Sequence, residues 1–228
     1  MAYEIFTPER NTAVRGVLFD MDGLVLDTEK LYSRFWQEAA QALGYPMTRE
    51  QALGMRALNS AAGQRQLCSY FGPDIVYQEV RAVRIQKMDA WIADHGVEAK
   101  PGIRELLTYL EEQNVGVALA TASPRERIRD YLEPLGLLER FPVICSGYEV
   151  AHGKPEPDIF LEAARRLGLA AEACMVLEDS PSGLLAAHRA GCLPVMVPDQ
   201  DQPDDATLPL LYAKADSLLD VIELLKNR

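Results

Sequence analysis

The sequence predicts an α/β fold, a Rossmann-like parallel sheet with an all-α segment inserted after its first strand. From Lys100 onward, short apolar runs typical of buried strands alternate with segments of helical spacing. Residues 30–97 show helical spacing only. Strands separated by helices pair in parallel through right-handed crossovers, so we expect helices on both faces of the sheet. We therefore predict an α/β core of residues 1–29 and 98–228 and a helical domain of residues 30–97.

The first predicted strand covers residues 14–19, after a polar lead-in of residues 1–13, and it ends at Asp20. Asp20 and Asp22 are two residues apart, and alternate residues of an extended chain point to the same side. Gly23 permits a sharp turn directly after them. Two interpretations are open at this point: an acidic turn that faces water, or two carboxylates directed at one point.

The inserted segment begins with a helix, because Leu31, Phe35, Ala39 and Leu43 recur at helical spacing before Gly44. Further helices are predicted over 48–54, with Thr48 as the cap, over 59–71 and over 75–95.

The alternating part begins with a helix whose apolar face carries Ile103, Leu106, Leu107 and Leu110. Strands are predicted at 115–120, 143–145, 174–177 and 193–197. Further helices are predicted after Pro124 and at 158–167, 183–190 and 218–225. The acidic loop 199–205 is interpreted as a solvated surface turn.

Composition excludes several classes of partner. The 228 residues carry 34 acidic and 23 basic side chains, a net charge of −11, which repels nucleic acid and anionic membranes. Four cysteines without CxxC spacing indicate a reduced, cytoplasmic protein. We find neither a signal-peptide pattern nor an apolar run of membrane-spanning length.

Polar residues follow several predicted strands, and the carboxyl ends of parallel strands meet at one edge of a sheet. One set is Thr121, Ala122 and Ser123. Ser123 opens a capping-box pattern, so it either caps its own helix or begins a helix whose free N–H groups hold a phosphate. Lys154 lies in a loop stiffened by two prolines and is either a surface lysine or a cation for a phosphoryl oxygen.

Glu178 and Asp179 follow the strand at 174–177. Their mutual repulsion is unfavourable unless a cation lies between them. Mg²⁺ prefers hard oxygen ligands, so it fits two carboxylates and a substrate phosphate. With the acids at Asp20 and Asp22, these groups indicate a phosphoryl-transfer site.

Four motifs in this order carry a family resemblance: DMDG at 20–23, ATAS at 120–123, GKPEPD at 153–158 and VLEDSPSG at 176–183. The chain resembles the haloacid dehalogenase superfamily, in particular its β-phosphoglucomutase-like phosphatase branch with a helical cap after the first strand. The resemblance spans nearly the whole chain.

The resemblance implies a role for each motif. Asp20 would be the nucleophile that forms an aspartyl-phosphate, and Asp22 the general acid and then base. Mg²⁺ would be bound by the side chains of Asp20 and Asp179 and the carbonyl of Asp22, with Glu178 binding the metal or supporting its ligands. The phosphate-binding group would comprise Thr121, Ala122, Ser123 and Lys154.

The helical domain would be a cap that closes over the site, with Arg56 as its specificity residue. The expected activity is hydrolysis of a small phosphorylated metabolite, such as a hexose or deoxyhexose 6-phosphate, by a monomer. Two alternatives stay open. A β-phosphoglucomutase-type reaction is disfavoured by Tyr32, which stands where the mutases carry a histidine. A non-catalytic phosphate-binding or protein-interaction module would not need both Asp20 and Asp22.

Overall fold

The structure is a computed structural model that describes residues 3–6, 13–55, 58, 60–199 and 202–227. The chain divides into two compact units. One is formed by Met1–Asp27 with Glu98–Arg228, and the other by Thr28–Val97. We call them the α/β unit and the helical unit.

The α/β unit contains a seven-stranded sheet, which confirms the predicted fold class. In spatial order the strands run β1-β7-β6-β5-β2-β3-β4, and all neighbours are parallel except β1 and β7. The strands are β1 (Tyr3–Ile5), β2 (Gly16–Phe19), β3 (Gly116–Thr121), β4 (Val143–Ser146), β5 (Cys174–Glu178), β6 (Leu193–Met196) and β7 (Ala213–Ala215).

Strands β1 and β7, which are neighbours at one side of the sheet, are a correction to the sequence analysis, which treated residues 1–13 as a polar lead-in and predicted no strand at β7. Each has three residues, too few to produce a recognisable apolar run. They pair antiparallel, Tyr3 opposite Ala215. The pairing joins opposite ends of the chain, and β7 also pairs in parallel with β6 on its other side.

Strand β2 lies in the middle of the sheet and brings its carboxyl end beside those of two neighbours. Phe19 is opposite Leu119 of β3 and Leu177 of β5. All four residues of β2 are buried, as expected for a strand covered on both faces. The residue that follows, Asp20, therefore lies at the carboxyl end of β2, beside the carboxyl ends of β3 and β5.

Among the described residues, the α/β unit contains five α-helices: α5 (Ile103–Glu112), α6 (Arg125–Leu132), α7 (Asp158–Leu167), α8 (Pro181–Arg189) and α9 (Leu218–Lys226). On one face, Phe160 of α7 packs in a buried cluster with Leu18, Ala118 and Val176. The predicted apolar face of α5 is confirmed, because all four of its apolar residues are buried.

The acidic loop after β6 is exposed at Asp204 and Asp205, as predicted, but not at its first residue, Asp199. The Asp199 carboxylate is only 7% exposed and forms an ion pair with Lys100. Lys100 lies 99 residues earlier in the sequence, so no local pattern could indicate this partner.

The helical unit contains α1 (Glu29–Ala42), α2 (Arg49–Leu53), α3 (Ser60–Phe71) and α4 (Tyr77–His95). The predicted cap of α2 is confirmed, because Thr48 and Gln51 form a reciprocal capping box. Trp36 of α1 packs against Tyr77 of α4 with ring centroids 5.3 Å apart. A Cβ on Gly63 would lie 2.2 Å from the Tyr77 ring, so only glycine fits there.

The four cysteines are free thiols, three of them buried. Among the described helices, none combines the length and the apolar character needed to cross a membrane.

Candidate active site

Lys154 connects two of the predicted strand-end acids. Its ammonium donates to Asp20 Oδ1 at 2.5 Å, to Glu178 Oε1 at 2.6 Å and to the Ala120 carbonyl at 3.1 Å. The lysine side chain is only 9% exposed. Of its two open interpretations, the surface lysine is therefore wrong.

The loop that carries Lys154 is anchored on both sides. The Arg189 guanidinium of α8 donates to the Pro155 carbonyl at 3.1 Å and to Glu156 Oε1 at 2.8 Å. On the other side, the backbone N–H of His152 donates to Asp158 Oδ2 at 3.1 Å. Lys154 therefore extends to the strand ends from a loop that is held by hydrogen bonds on both sides.

Glu178 is fully buried, and both of its carboxylate oxygens are bound by donors of the protein. Oε1 accepts from Lys154, and Oε2 accepts from the backbone N–H groups of Asp179 at 3.1 Å and Ser180 at 2.9 Å and from the Ser180 hydroxyl at 2.9 Å. A Cβ on Gly183 would lie 1.7 Å from Oε1. Gly183 thus makes room for this carboxylate against the start of α8.

Burial and charge oppose each other in this cluster. Burial raises the pKa of the Asp20 carboxyl to about 7, because desolvation outweighs the attraction of the Lys154 ammonium. Burial by itself lowers the pKa of Lys154, but Asp20 and Glu178 outweigh it and hold that pKa above its usual range. One lysine does not fully compensate the acids gathered here.

The acids of this cluster fit a divalent cation. Carboxylate oxygens of Asp20, Glu178 and Asp179 all lie within 4.8 Å of one another. These are hard oxygen donors, the kind that Mg²⁺ prefers. A cation would also reduce the repulsion that, with burial, raises the pKa of Asp20.

The Asp22 side chain has a different set of neighbours. Its Oδ2 accepts a hydrogen bond from the Ser123 hydroxyl at 3.1 Å. The backbone N–H of Ser123 donates to Thr121 Oγ1 at 3.1 Å. Thr121 is buried, whereas Ala122 between them is exposed in the turn after β3.

The capping interpretation of Ser123 is wrong. Helix α6 begins at Arg125, its N-cap is Pro124, and no side chain caps it. The hydroxyl of Ser123 donates to the Asp22 carboxylate instead, and charged acceptors form strong hydrogen bonds. The local sequence pattern does not reveal this partner.

Two predicted residues belong to the helical unit. Arg56 lies outside the described residues. Tyr32 lies on α1, with the Arg84 guanidinium 4.6 Å from the centroid of its ring.

The sequence analysis missed several supporting residues, among them Ser146, Ser180 and Arg189. The serine in the VLEDSPSG motif was a usable signal for Ser180, because serine one residue before a proline is a common start of a helix. Ser146 and Arg189 show no local pattern.

Comparison with known proteins identifies the family. The model of the haloacid dehalogenase-like hydrolases matches residues 17–197. The chain belongs to this family. The hydrolase is 30% identical over 178 residues to the phosphorylated carbohydrates phosphatase of Thermotoga maritima, covering 78% of this chain and 82% of that protein. It is 35% identical over 191 residues to the probable pseudouridine-5'-phosphatase of Drosophila melanogaster, covering 80% of each.

A solved hydrolase of the same family from Deinococcus radiodurans, with bound phosphate and sodium, has a TM-score of 0.77 and 27% identity to this hydrolase. The match covers 95% of this chain and 97% of that one. A β-phosphoglucomutase of Bacillus subtilis is also a relative, at 28% identity. With relatives named phosphatases at this level of similarity, the hydrolase is a phosphoric monoester hydrolase.

Proposed function

We propose that this hydrolase removes the phosphate from a small sugar phosphate, such as a hexose or deoxyhexose 6-phosphate, in a Mg²⁺-dependent reaction through an aspartyl-phosphate. The observation that carries the proposal is the pairing of buried Asp20 with the Lys154 ammonium at 2.5 Å, two residues before a second acid, Asp22. A nucleophile, a cation and a proton donor are the groups that phosphoryl transfer needs.

In the first half of the reaction, a carboxylate oxygen of Asp20 attacks phosphorus, and a new P–O bond forms. The bond from phosphorus to the sugar oxygen breaks, and its electron pair stays on that oxygen. Asp22 gives the sugar oxygen a proton, so the sugar leaves as a neutral alcohol. Lys154 offsets negative charge on the phosphoryl oxygens during this step.

In the second half, water attacks the phosphorus of the aspartyl-phosphate. Asp22, now a carboxylate, takes the proton from this water. The bond between phosphorus and the Asp20 oxygen breaks, which releases inorganic phosphate and regenerates the Asp20 carboxylate. Both aspartates return to their starting states, so the cycle is balanced.

Mg²⁺ would be held by the side chains of Asp20 and Asp179 and by the Asp22 carbonyl. When bound, it supplies positive charge that neutralises the transferring phosphoryl group. Glu178 has both oxygens bound by Lys154 and by donors at the start of α8, which favours a role in holding those elements in place.

Two observations favour a sugar phosphatase over a mutase. A relative is named for phosphorylated carbohydrates. The family resemblance places Tyr32 where the mutases carry a histidine, and a phenol is a poor substitute for imidazole as a base near neutral pH. That the helical unit is a cap, and that Arg56 selects the substrate, stay predictions. Replacing Arg56 by alanine should reduce turnover of a hexose 6-phosphate much more than turnover of an aryl phosphate.

The test is phosphate release from p-nitrophenyl phosphate by the purified full chain, with and without Mg²⁺. Asp20→Asn should abolish release, whereas Asp130→Asn, on the exposed face of α6, should retain it. Turnover without divalent cations, or full activity of Asp20→Asn, would overturn the mechanism.

A panel of sugar phosphates, followed for both free phosphate and isomerised product, then separates phosphatase from mutase. Phosphate binding without any turnover would favour the non-catalytic alternative.

A further inference from the structure

We infer that Ser123 is a positioning residue for the Asp22 acid, and that Ser146 in turn fixes Ser123. This inference rests on the proposed function, because it assigns Asp22 the proton transfer. It gives the Ser123 side chain a role beyond the expected place of Ser123 in the phosphate-binding group.

Ser123 is held by hydrogen bonds at its hydroxyl, its N–H and its carbonyl. Its hydroxyl donates to Asp22 Oδ2 at 3.1 Å, its N–H donates to Thr121 Oγ1 at 3.1 Å, and its carbonyl accepts from the Ser146 hydroxyl at 2.7 Å. Ser123 is 5% exposed and Ser146 1%. All three polar groups of this buried serine are therefore bound.

Ser146 reaches Ser123 because of strand register. It is the last residue of β4 and lies opposite Thr121, the last residue of β3. The next residue, Gly147, permits a close approach, since a Cβ there would lie 3.1 Å from Ala122 Cα. The end of β4 thus supports the turn that carries Ser123. The position of the Ser123 hydroxyl therefore depends on the pairing of β3 with β4.

The hydrogen bond to Asp22 has a chemical consequence. In a carboxylic acid, one oxygen carries the proton and the other is an acceptor. Because the Ser123 hydroxyl occupies Oδ2 as a donor, the acid proton is left to Oδ1. Ser123 therefore fixes which oxygen gives its proton to the leaving group and which later accepts the proton from water.

A positioning role for the acid predicts a dependence on the leaving group. Phenol is a weaker acid than p-nitrophenol, so departure of phenolate depends more on protonation. The two aryl phosphates have nearly the same size and make the same demand on phosphate binding. The value of kcat/KM covers the steps up to departure of the phenol, whichever later step limits kcat.

The experiment measures kcat/KM with Mg²⁺ for p-nitrophenyl phosphate and phenyl phosphate. Ser123→Ala should lower the value for phenyl phosphate by about 10- to 100-fold, part of the 10²–10⁴ that general acid catalysis contributes. The value for p-nitrophenyl phosphate should fall only a few-fold. Ser123→Thr, which keeps the hydroxyl, should restore most of the loss, and Ser146→Ala should show the same bias at smaller size.

Asp22→Asn separates the two levels of the proposal. Asp22→Asn should lower kcat/KM for phenyl phosphate more than for p-nitrophenyl phosphate. If it does, while Ser123→Ala lowers kcat/KM for both substrates equally or not at all, the positioning role is overturned and the proposed function stands. If Asp22→Asn shows no bias, the acid role of Asp22 itself fails. Should Ser123→Ala not fold, as judged by circular dichroism, Ser123→Cys keeps the shape with a much weaker donor and decides the question in the same way.

Discussion

Each of the two units of this hydrolase holds a largely buried cation, and the groups around that cation differ between the units. In the α/β unit, the Lys154 ammonium lies between two carboxylates and a carbonyl, at 2.5, 2.6 and 3.1 Å. In the helical unit, the Arg84 guanidinium is also buried, but within the described part of the chain no carboxylate contacts it. Its neighbours are the rings of Tyr32 and Trp36, at 4.6 and 5.4 Å.

This difference shows what each site requires. Aromatic faces attract a guanidinium without adding charge, so Arg84 acts as a packed, amphipathic side chain between α1 and α4. Among the described residues, none forms a hydrogen bond with its Nε. Lys154 is held by the carboxylates of Asp20 and Glu178, an arrangement that packing alone does not need and that the proposed phosphoryl transfer would use. Removing the charge should therefore have very different effects at the two sites.

The largest effect is expected for Lys154→Met. It leaves Asp20 and Glu178 buried without their cation, and breaking a buried pair in this way costs about 3–5 kcal/mol. Loss of a donor to the transferring group should lower kcat/KM by about 10²- to 10³-fold. Urea unfolding and steady-state kinetics measure the two losses. Lys226→Met, at an exposed ion pair with Glu223, is the control and should change neither by much.

A smaller effect is expected for Gly183→Ala, which disturbs the same ion cluster by crowding. The new Cβ would overlap Glu178 Oε1, so the carboxylate must move away from Lys154. We expect a loss of about 1–3 kcal/mol in the free energy of unfolding, typical of overpacking, together with lower kcat. Gly116→Ala is the control, because its Cβ would make ordinary contacts at 3.5 Å. Equal effects of both variants would contradict the role assigned to Gly183.

Arg84→Met should be nearly neutral, within about 1 kcal/mol, because it removes an uncompensated charge and keeps most of the buried volume. Arg84→Ala is the comparison, and it should cost about 2 kcal/mol or more through the cavity that it leaves. Urea unfolding followed by tryptophan fluorescence suits both, since Trp36 is a neighbour. A loss on Arg84→Met as large as that of Lys154→Met would show that Arg84 has a charged partner in solution.

The smallest effect is expected at a partly exposed pair. Glu149 binds Arg125 and Arg166, and the hydrogen bond from Arg125 holds the pKa of Glu149 below its usual range. A lowered pKa in the folded state stabilises the fold above the unfolded pKa of about 4.3, and the gain is lost as pH falls through the lower value.

Glu149→Gln should therefore lower the free energy of unfolding at pH 7 by less than about 1 kcal/mol, with a slightly lower Tm. The Tm difference between this variant and the parent should shrink as pH falls below 4. Glu112→Gln, at an exposed glutamate of α5 that forms no ion pair with another described residue, is the reference for substitution alone. A Tm difference that does not change with pH would rule out this ion pair as its source.

Much of the fold was predictable because its signals are local. Strands β2, β3 and β5 are short apolar runs, which is the pattern of a buried strand. The apolar residues of α5 recur at helical spacing, and this spacing predicts its buried face. Strands β1 and β7 were not predictable, because three residues carry no period, and the two strands pair with each other across more than 200 residues of sequence.

For the site, the sequence by itself determined which chemical groups are present and at which strand ends they stand. Asp20, Lys154 and Glu178 could be named because parallel strands bring their carboxyl ends to one edge. Only the tertiary structure decided which groups bind each other. The Ser123 hydroxyl meets a carboxylate 101 residues away, and not the helix it precedes, because strand register places Asp22 within its reach and Ser146 fixes its carbonyl.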